Sequence, residues 1–391
     1  MNLAARDFPP GTPLRHFFEW NEAVPWWRRD RRHALARAPE RLAKPVARAL
    51  EQAVGSADPA DHAAVFAAFE RAARRGGDGR RRILVIRLSA LGDFVQALGP
   101  IAAIRRHHEG DHIGLLTARP LAGFAEELGW FDEVIVDERP GVFAPRGWLR
   151  LRRRLRDGRF DRVYDLQTSH RSAAYAGLLR PGLPEWSGIA WRCSHPHANL
   201  GRDAQHTLDK QAEQLLMAGI YPTPLPALPP LRRTLPDGLR NRDFVLLVPG
   251  ASPAHPEKRW PAERFGALAR ALEAAGCRAV IVGTAPEAPL AARIRETCPE
   301  AVDLTGQTDL ALLGALAQHA ALTVGNDTGV CHLAAAAGCA VVVLFSAGTD
   351  PARCAPRGRR VEVIAAAALR DLAPEPVIAA AVEILTARCG E

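Results

Sequence analysis

Three places in this chain carry side chains able to do polar chemistry where a turn would present them. The first is Gly92-Asp93, in LSALGDFVQALGPIAAIRR, between a short apolar run and a helix-like stretch. A carboxylate there can cap the helix that follows, and it is equally placed to accept a proton from a substrate hydroxyl. The second is Lys258, in VPGASPAHPEKRWPAERF, in a loop that also holds Gly250 and Ser252. The chain has three lysines (Lys44, Lys210 and Lys258) against 48 arginines, so generic positive charge is supplied by arginine and a loop lysine is informative. Its compact ammonium suits a phosphate oxygen; the alternative is a solvated surface charge. The third is LTVGNDTGVCHLAAAAGCAVVVLF, where Gly325-Asn326-Asp327-Thr328-Gly329 turns into a small-residue helix. Backbone N–H groups and the helix dipole at such a start favour an anion such as a diphosphate. The alternative is a tight turn with Asp327 as N-cap and His332 packed in the helix.

These residues need elements to hold them. Short β-branched runs alternate with alanine- and leucine-rich helices from about Arg82 onward, the pattern of parallel α/β sheets. Strands are expected at Ile83–Leu88, His112–Ala118, Glu133–Glu138, Asp161–Gln167 and Ser187–Ala190. Six prolines between Pro222 and Pro236 mark a linker. A second series follows at Phe244–Ala251, Arg278–Thr284, Ala301–Gly306, Ala321–Asp327 and Ala340–Ala347. Open parallel sheets bind ligands beyond their strand C-termini, and the three motifs fall at such ends. The expected domains are a basic helical extension (1–81), a Rossmann-like half closing in the proline-rich linker (82–235) and a second Rossmann-like half (236–391). Within the extension, RHALARAPERLAKPVARALEQAV has helical spacing interrupted by Pro39 and Pro45.

Composition excludes several classes. The longest apolar runs are strand-sized, short of the roughly 20 residues of a membrane span, and the N-terminus lacks the plan of a signal peptide. Seven scattered cysteines, no two of them separated by only two residues, fit neither a disulfide framework nor a zinc site, so the expected compartment is the cytoplasm. GxGxxG is missing, which weakens a dehydrogenase reading. No two aspartates stand two apart, so a DxD metal motif is missing and no metal is expected. Residues 1–82 hold fifteen Arg and one Lys against five Asp and five Glu, most of the chain's net +8. Such a segment suits nucleic acid, an anionic membrane or an acidic substrate. It contains no nucleic-acid recognition motif, so no nucleic-acid partner is expected. Trp20, Trp26 and Trp27 beside Arg28, Arg29, Arg31 and Arg32 suit either a membrane headgroup region or packing on the chain's own N-terminal half.

Taken in order, RLSALGDFVQAL, YDLQTSHRSA, VPGASPAHPEKRWPAERF, VIVGTAPE, DLTGQTDLALLGALAQHA and GNDTGVCHLAAAAGCAVVVLF resemble the lipopolysaccharide heptosyltransferase family, glycosyltransferase family 9, over about residues 83–358. The resemblance implies the GT-B fold of two facing Rossmann-like domains, with the acceptor on the N-terminal half and ADP-heptose on the C-terminal half. It also implies an inverting reaction without metal or other cofactor. By resemblance Asp93 is the general base and Lys258 neutralises the departing diphosphate. Gly250, Ser252, Thr328 and Gly329 contact phosphates, Glu287 the ribose and Asp327 the transferred sugar, while Val330 and His332 line the pocket. Ser346-Ala347 stands where the family more usually has Gly-Pro. The implied partners are a nucleotide sugar and an anionic glycolipid, with peripheral contact at the inner face of the cytoplasmic membrane. A different nucleotide sugar, or a catalytically silent glycan-binding relative, are the competing readings; retention of Asp93 and Lys258 argues against the silent one.

Overall fold

The computed structural model describes residues 4–23, 44–73, 80–240, 243–252 and 255–389. Trp26, Trp27, residues 28–32, Pro39, the Gly76–Gly79 stretch and residues 253–254 lie outside the described residues. The chain forms two compact units, one of residues 1–89 with 99–224 and one of residues 90–98 with 225–391.

The first unit starts with α1 (Pro13–Ala23), α2 (Lys44–Ala53) and α3 (Pro59–Ala73). Pro45 does not interrupt α2: it sits in the first turn, where no intrahelical partner needs its missing N–H. Along the chain then come β1 (Arg82–Ile86), α4 (Leu91–Gln96), α5 (Leu98–His107), β2 (His112–Ala118), α6 (Arg119–Glu127) and β3 (Glu133–Asp137). They are followed by α7 (Pro145–Asp157), β4 (Arg162–Asp165), α8 (His170–Leu178), β5 (Glu185–Gly188), β6 (His195–Pro196) and α9 (Thr207–Met217). The sheet order is β3-β2-β1-β4-β5-β6, with every pairing parallel. β1 and β2 are buried almost end to end, as continuous apolar runs covered on both faces must be.

The second unit repeats the plan with β7 (Phe244–Val248), α10 (Ala262–Ala274), β8 (Arg278–Ile281), α11 (Ala288–Thr297), β9 (Val302–Asp303) and α12 (Leu310–His319). It continues through β10 (Leu322–Asn326), α13 (Gly329–Ala336), β11 (Val341–Ser346), α14 (Pro351–Cys354), β12 (Val361–Ala366) and α15 (Pro374–Cys389). The order β12-β11-β10-β7-β8-β9, again wholly parallel, is the same Rossmann order counted from β7. Its first and fourth strands, β7 and β10, are therefore neighbours at the point where the winding reverses, the place where such sheets bind ligands.

All ten expected strands form, with β5 two residues earlier than expected and β9 cut to two residues. Two edge strands escaped the sequence reading. β6 is a His-Pro pair with no apolar run to betray it, and β12 is an edge strand that leaves Glu362 and its neighbours partly exposed. The proline-rich stretch 222–236 has no helix or strand.

The described part of the extension belongs to the first unit's interior. Phe8, Leu14, Phe17, Leu50, Phe66 and Phe69 form one apolar cluster with Leu216 and Met217 of α9, and Trp20 packs on its edge. Two buried charge networks reinforce the join. Arg162 on β4 has no exposed surface and donates to Glu70 of α3 at 2.6 Å and to the Ala218 carbonyl at 2.9 Å. His195 also bonds Glu70. Glu213 of α9 bonds His16 of α1 at 2.6 Å and accepts from Asn199 at 2.8 Å. Burial alone would raise the Glu213 carboxyl; its bonds to His16, His197 and Asn199 overcome that and hold it down at about 2. Glu70→Ala would strand Arg162 as a buried charge, so unfolding by denaturant should show a loss of about 3–5 kcal/mol; a loss under about 1 kcal/mol, the scale of exposed pairs, would mean Arg162 is held without it.

Candidate active site

At the end of β10, Asn326 is fully buried and both ends of its amide are used. Its Nδ2 donates to the carbonyls of Pro249 at 2.8 Å and Gly250 at 3.2 Å, in the loop after β7. Its Oδ1 accepts from the backbone N–H of Trp260 at 3.0 Å. One side chain thus fixes both ends of the loop that carries Ser252 and Lys258. Gly325, just before it, leaves no room for a side chain, since a Cβ would lie 2.6 Å from Val248 Cβ.

The loop so held brings Lys258 to Asp327, Nζ to Oδ2 at 2.7 Å. The two side chains are 19% and 10% exposed, so the pair is sheltered yet reachable. Asp327 does not cap α13, correcting one of the two expectations for this turn: the N-cap is Thr328, and the carboxylate goes to the lysine. Val330 is half-buried in the first turn of α13 and His332 is buried one residue beyond Cys331. Burial pushes the Cys331 thiol up to about 12, and its Sγ donates to the Asn326 carbonyl, so it serves packing and not nucleophilic chemistry.

Gly250 and Glu287 also meet. A Cβ on Gly250 would fall 1.9 Å from Glu287 Oε1, so the carboxylate lies in the space the glycine leaves open. It is held there by the Thr284 N–H at 2.7 Å and the Thr284 hydroxyl at 2.9 Å. Ser252 is exposed at the loop tip.

Asp93 is the third residue of α4, where its carboxylate accepts the Ala90 N–H at 3.2 Å. Both readings of Asp93 thus share one position: the carboxylate serves the helix start and is only half-buried. α4 groups with the second unit and packs on α13. The approach is backbone to backbone, since a Cβ on Gly329 would lie 2.6 Å from the Gly92 nitrogen, and one on Gly92 would lie 3.0 Å from His332 Cδ2. The small residues at the start of α13 are therefore required by α4 itself.

Sequence reasoning named Lys258, Asp327, Glu287, Gly250 and Asp93 but not the amides that place them. Asn326 is one; Gln167, just after β4, is the other, its Oε1 accepting from Leu88 and Ser89 at 2.9 and 3.3 Å in the loop that leads to α4. The available signal was a side-chain amide at or just past the end of an apolar strand in GND and in YDLQ. Among the described residues no cluster of three or more His, Cys, Asp or Glu side chains is arranged to hold a metal ion.

Gly250→Ala should displace the Glu287 carboxylate from the Thr284 N–H and hydroxyl and lower stability by about 1–3 kcal/mol. Denaturant unfolding measures this, and an unchanged stability would mean that the Glu287 carboxylate moves aside without cost.

Residues 148–373 match the family model "Glycosyltransferase family 9 (heptosyltransferase)". Lipooligosaccharide heptosyltransferase 2 of Haemophilus influenzae is 30% identical over 131 residues, 32% of this chain and 37% of that protein. Lipopolysaccharide heptosyltransferase 2 of Escherichia coli K12 is 28% identical over 296 residues, 68% of this chain and 82% of that protein. In the first of these relatives, then, the chain spans little more than a third of the length. The solved structure of the E. coli ADP-heptose LPS heptosyltransferase II superposes with a TM-score of 0.63 at 21% identity, covering 78% of this chain and 99% of that one; at that identity the likeness speaks for the fold, which is GT-B. With the family model covering more than half its length, the chain belongs to glycosyltransferase family 9, the heptosyltransferases.

Proposed function

We propose that this protein is an inverting, metal-independent glycosyltransferase that moves heptose from ADP-heptose to a hydroxyl of a lipopolysaccharide-core glycolipid. The observation that carries the reading is the sheltered Lys258–Asp327 pair at the β7–β10 reversal, 2.7 Å apart. An ammonium held by one carboxylate is a ready receiver for a diphosphate, which can replace that partner with charge-assisted bonds of its own. Asp327, released, is then free to accept from hydroxyls of the sugar. Glu287, beside Gly250, takes the ribose hydroxyls, and the N–H groups at Thr328 and Gly329, opening α13, take phosphate oxygens. Ser252 adds a hydroxyl from the loop tip, and Val330 and His332 form the pocket wall.

The reaction proceeds by attack of the acceptor oxygen on the anomeric carbon. Asp93 takes the hydroxyl proton, the bond from the anomeric carbon to the β-phosphate oxygen breaks, and ADP leaves with its new negative charge on Lys258 and the α13 N-terminus. Attack from the face opposite the leaving group inverts the anomeric centre. The glycolipid acceptor implies work at the inner face of the cytoplasmic membrane as a peripheral protein, in keeping with the finding that no helix among the described residues is long and apolar enough to cross a bilayer. No nucleic-acid partner belongs to this reading.

Two measurements test it. Asp93→Ala should lower turnover about 10²–10⁴-fold with little change in ADP affinity, whereas Lys258→Ala should weaken both; lost ADP affinity in the Asp93 variant would remove it from the role of base. Transfer should also survive EDTA, because Lys258 and a helix N-terminus supply the stabilisation a cation would. Chelation that stops turnover, with rescue by Mg²⁺ or Mn²⁺, would overturn that part of the mechanism.

A further inference from the structure

We propose that the loop at residues 141–144 and the outer stripe of α7 form the surface by which this protein docks on an anionic lipid bilayer. The proposal deepens the peripheral-membrane part of the function proposed above and rests on it. Val142 is 83% and Phe143 97% exposed. A single exposed apolar residue is ordinary, but this pair stands on a loop built to hold it outward. The Ala144 N–H donates to the Gly141 carbonyl at 3.0 Å, Trp148 Nε1 donates to the same carbonyl at 2.9 Å, and Arg171 donates to the Pro140 carbonyl at 2.7 Å. With its backbone pinned on both sides, the loop keeps Phe143 in solvent.

The helix that follows supplies the charge. α7 reads PRGWLRLRRRLRD, six arginines against Asp157. Its inner face buries Leu151 and Leu155. Its outer face carries Arg146, Leu149, Arg150 and Arg153, all exposed and spaced i, i+3, i+4 and i+7 along one stripe. Leu149 is 62% exposed between these arginines. The acidic partners of Arg150 and Arg153, Glu138 at 3.2 Å and Asp157 at 3.6 Å, are themselves exposed, so these pairs are weak and exchangeable for lipid phosphate.

An apolar tip beside a basic amphipathic stripe is the arrangement of an interfacial anchor: the side chains enter the acyl boundary while the guanidiniums stay at the headgroups. A polynucleotide would meet the arginines but has nothing to receive Val142 and Leu149. Trp20, one of the three extension tryptophans considered for a membrane role and the one among the described residues, is instead packed on the core of its own unit.

The test uses the full chain, sedimented at low salt with phosphatidylethanolamine vesicles containing phosphatidylglycerol, and with phosphatidylcholine vesicles as control. Wild type should pellet with the anionic vesicles, and salt should weaken this binding to the part the apolar tip supplies. Replacing Arg146, Arg150 and Arg153 together by Gln should lower the partition coefficient about 100-fold, from roughly fivefold per arginine. Val142→Ser with Phe143→Ser should reduce binding at both low and high salt. Thermal unfolding checks that these surface variants fold, and turnover on a lipid-free oligosaccharide acceptor should stay at the wild-type level. Wild-type protein left in the supernatant would end the membrane reading itself. Variants that pellet like wild type would leave that reading standing and overturn this surface. Variants that pellet normally but fail on the lipid-free acceptor would show that the surface holds acceptor glycan, which also overturns the docking proposal.

Discussion

The geometry of the candidate site depends on one buried amide. Asn326 ends β10 with no exposed surface and spends its donor group on two carbonyls of the loop after β7 and its acceptor on the backbone where that loop re-enters the fold at Trp260. In so buried a place an unpaired polar group costs more than a hydrogen bond gains, so these bonds form together or the loop moves. Lys258 lies between the clamped points, and its contact with Asp327, the residue next to Asn326, follows from that clamp. The first unit uses the same device: Gln167, just after its fourth strand, accepts from the loop after its first, which leads on to Asp93. Two sheets of the same order have reached the same solution at the same crossing, where adjacent strands send their connections to opposite faces and their loops need a tie.

Charge is arranged by burial as much as by number. The extension carries most of the net +8, yet its described part is fastened to the first unit by an apolar cluster and two buried ion networks, in which its residues Glu70 and His16 face Arg162, His195 and Glu213. The remainder of the chain is nearly balanced in sum, and that balance conceals α7, where six arginines gather on one helix. Net charge by segment is therefore a poor guide to where positive potential meets solvent. Exposure decides it, and exposure belongs to the fold.

The α/β alternation, the proline-rich break and ten of the twelve strands among the described residues were legible in the chain because parallel strands buried on both faces are written as uninterrupted β-branched runs. Family membership was legible for a related reason: the motifs are loops at strand ends, short and contiguous, so they survive as words. Asp93, Lys258, Gly250, Glu287 and Asp327 could be named from those words alone. The strands that stayed hidden were edge strands, β6 and β12, which are paired on one side only and need little apolar sequence.

What only the tertiary structure decided is which of those residues meet. Asp327 could be an N-cap or a ligand-facing carboxylate by sequence; a lysine 69 residues earlier, brought to 2.7 Å by the pairing of β7 with β10, settles its partner. Gly329 reads by sequence as a small residue at a helix start, and only the fold shows that the Gly92 backbone occupies the space a side chain there would need. Trp20 could face lipid or core, and it faces core. Each of these outcomes joins groups far apart in the chain, where neither propensity nor spacing carries information. The hydrophobic pattern of a chain specifies its elements, but the contacts between distant loops are set by sheet order and register, which exist only once the sheet has formed.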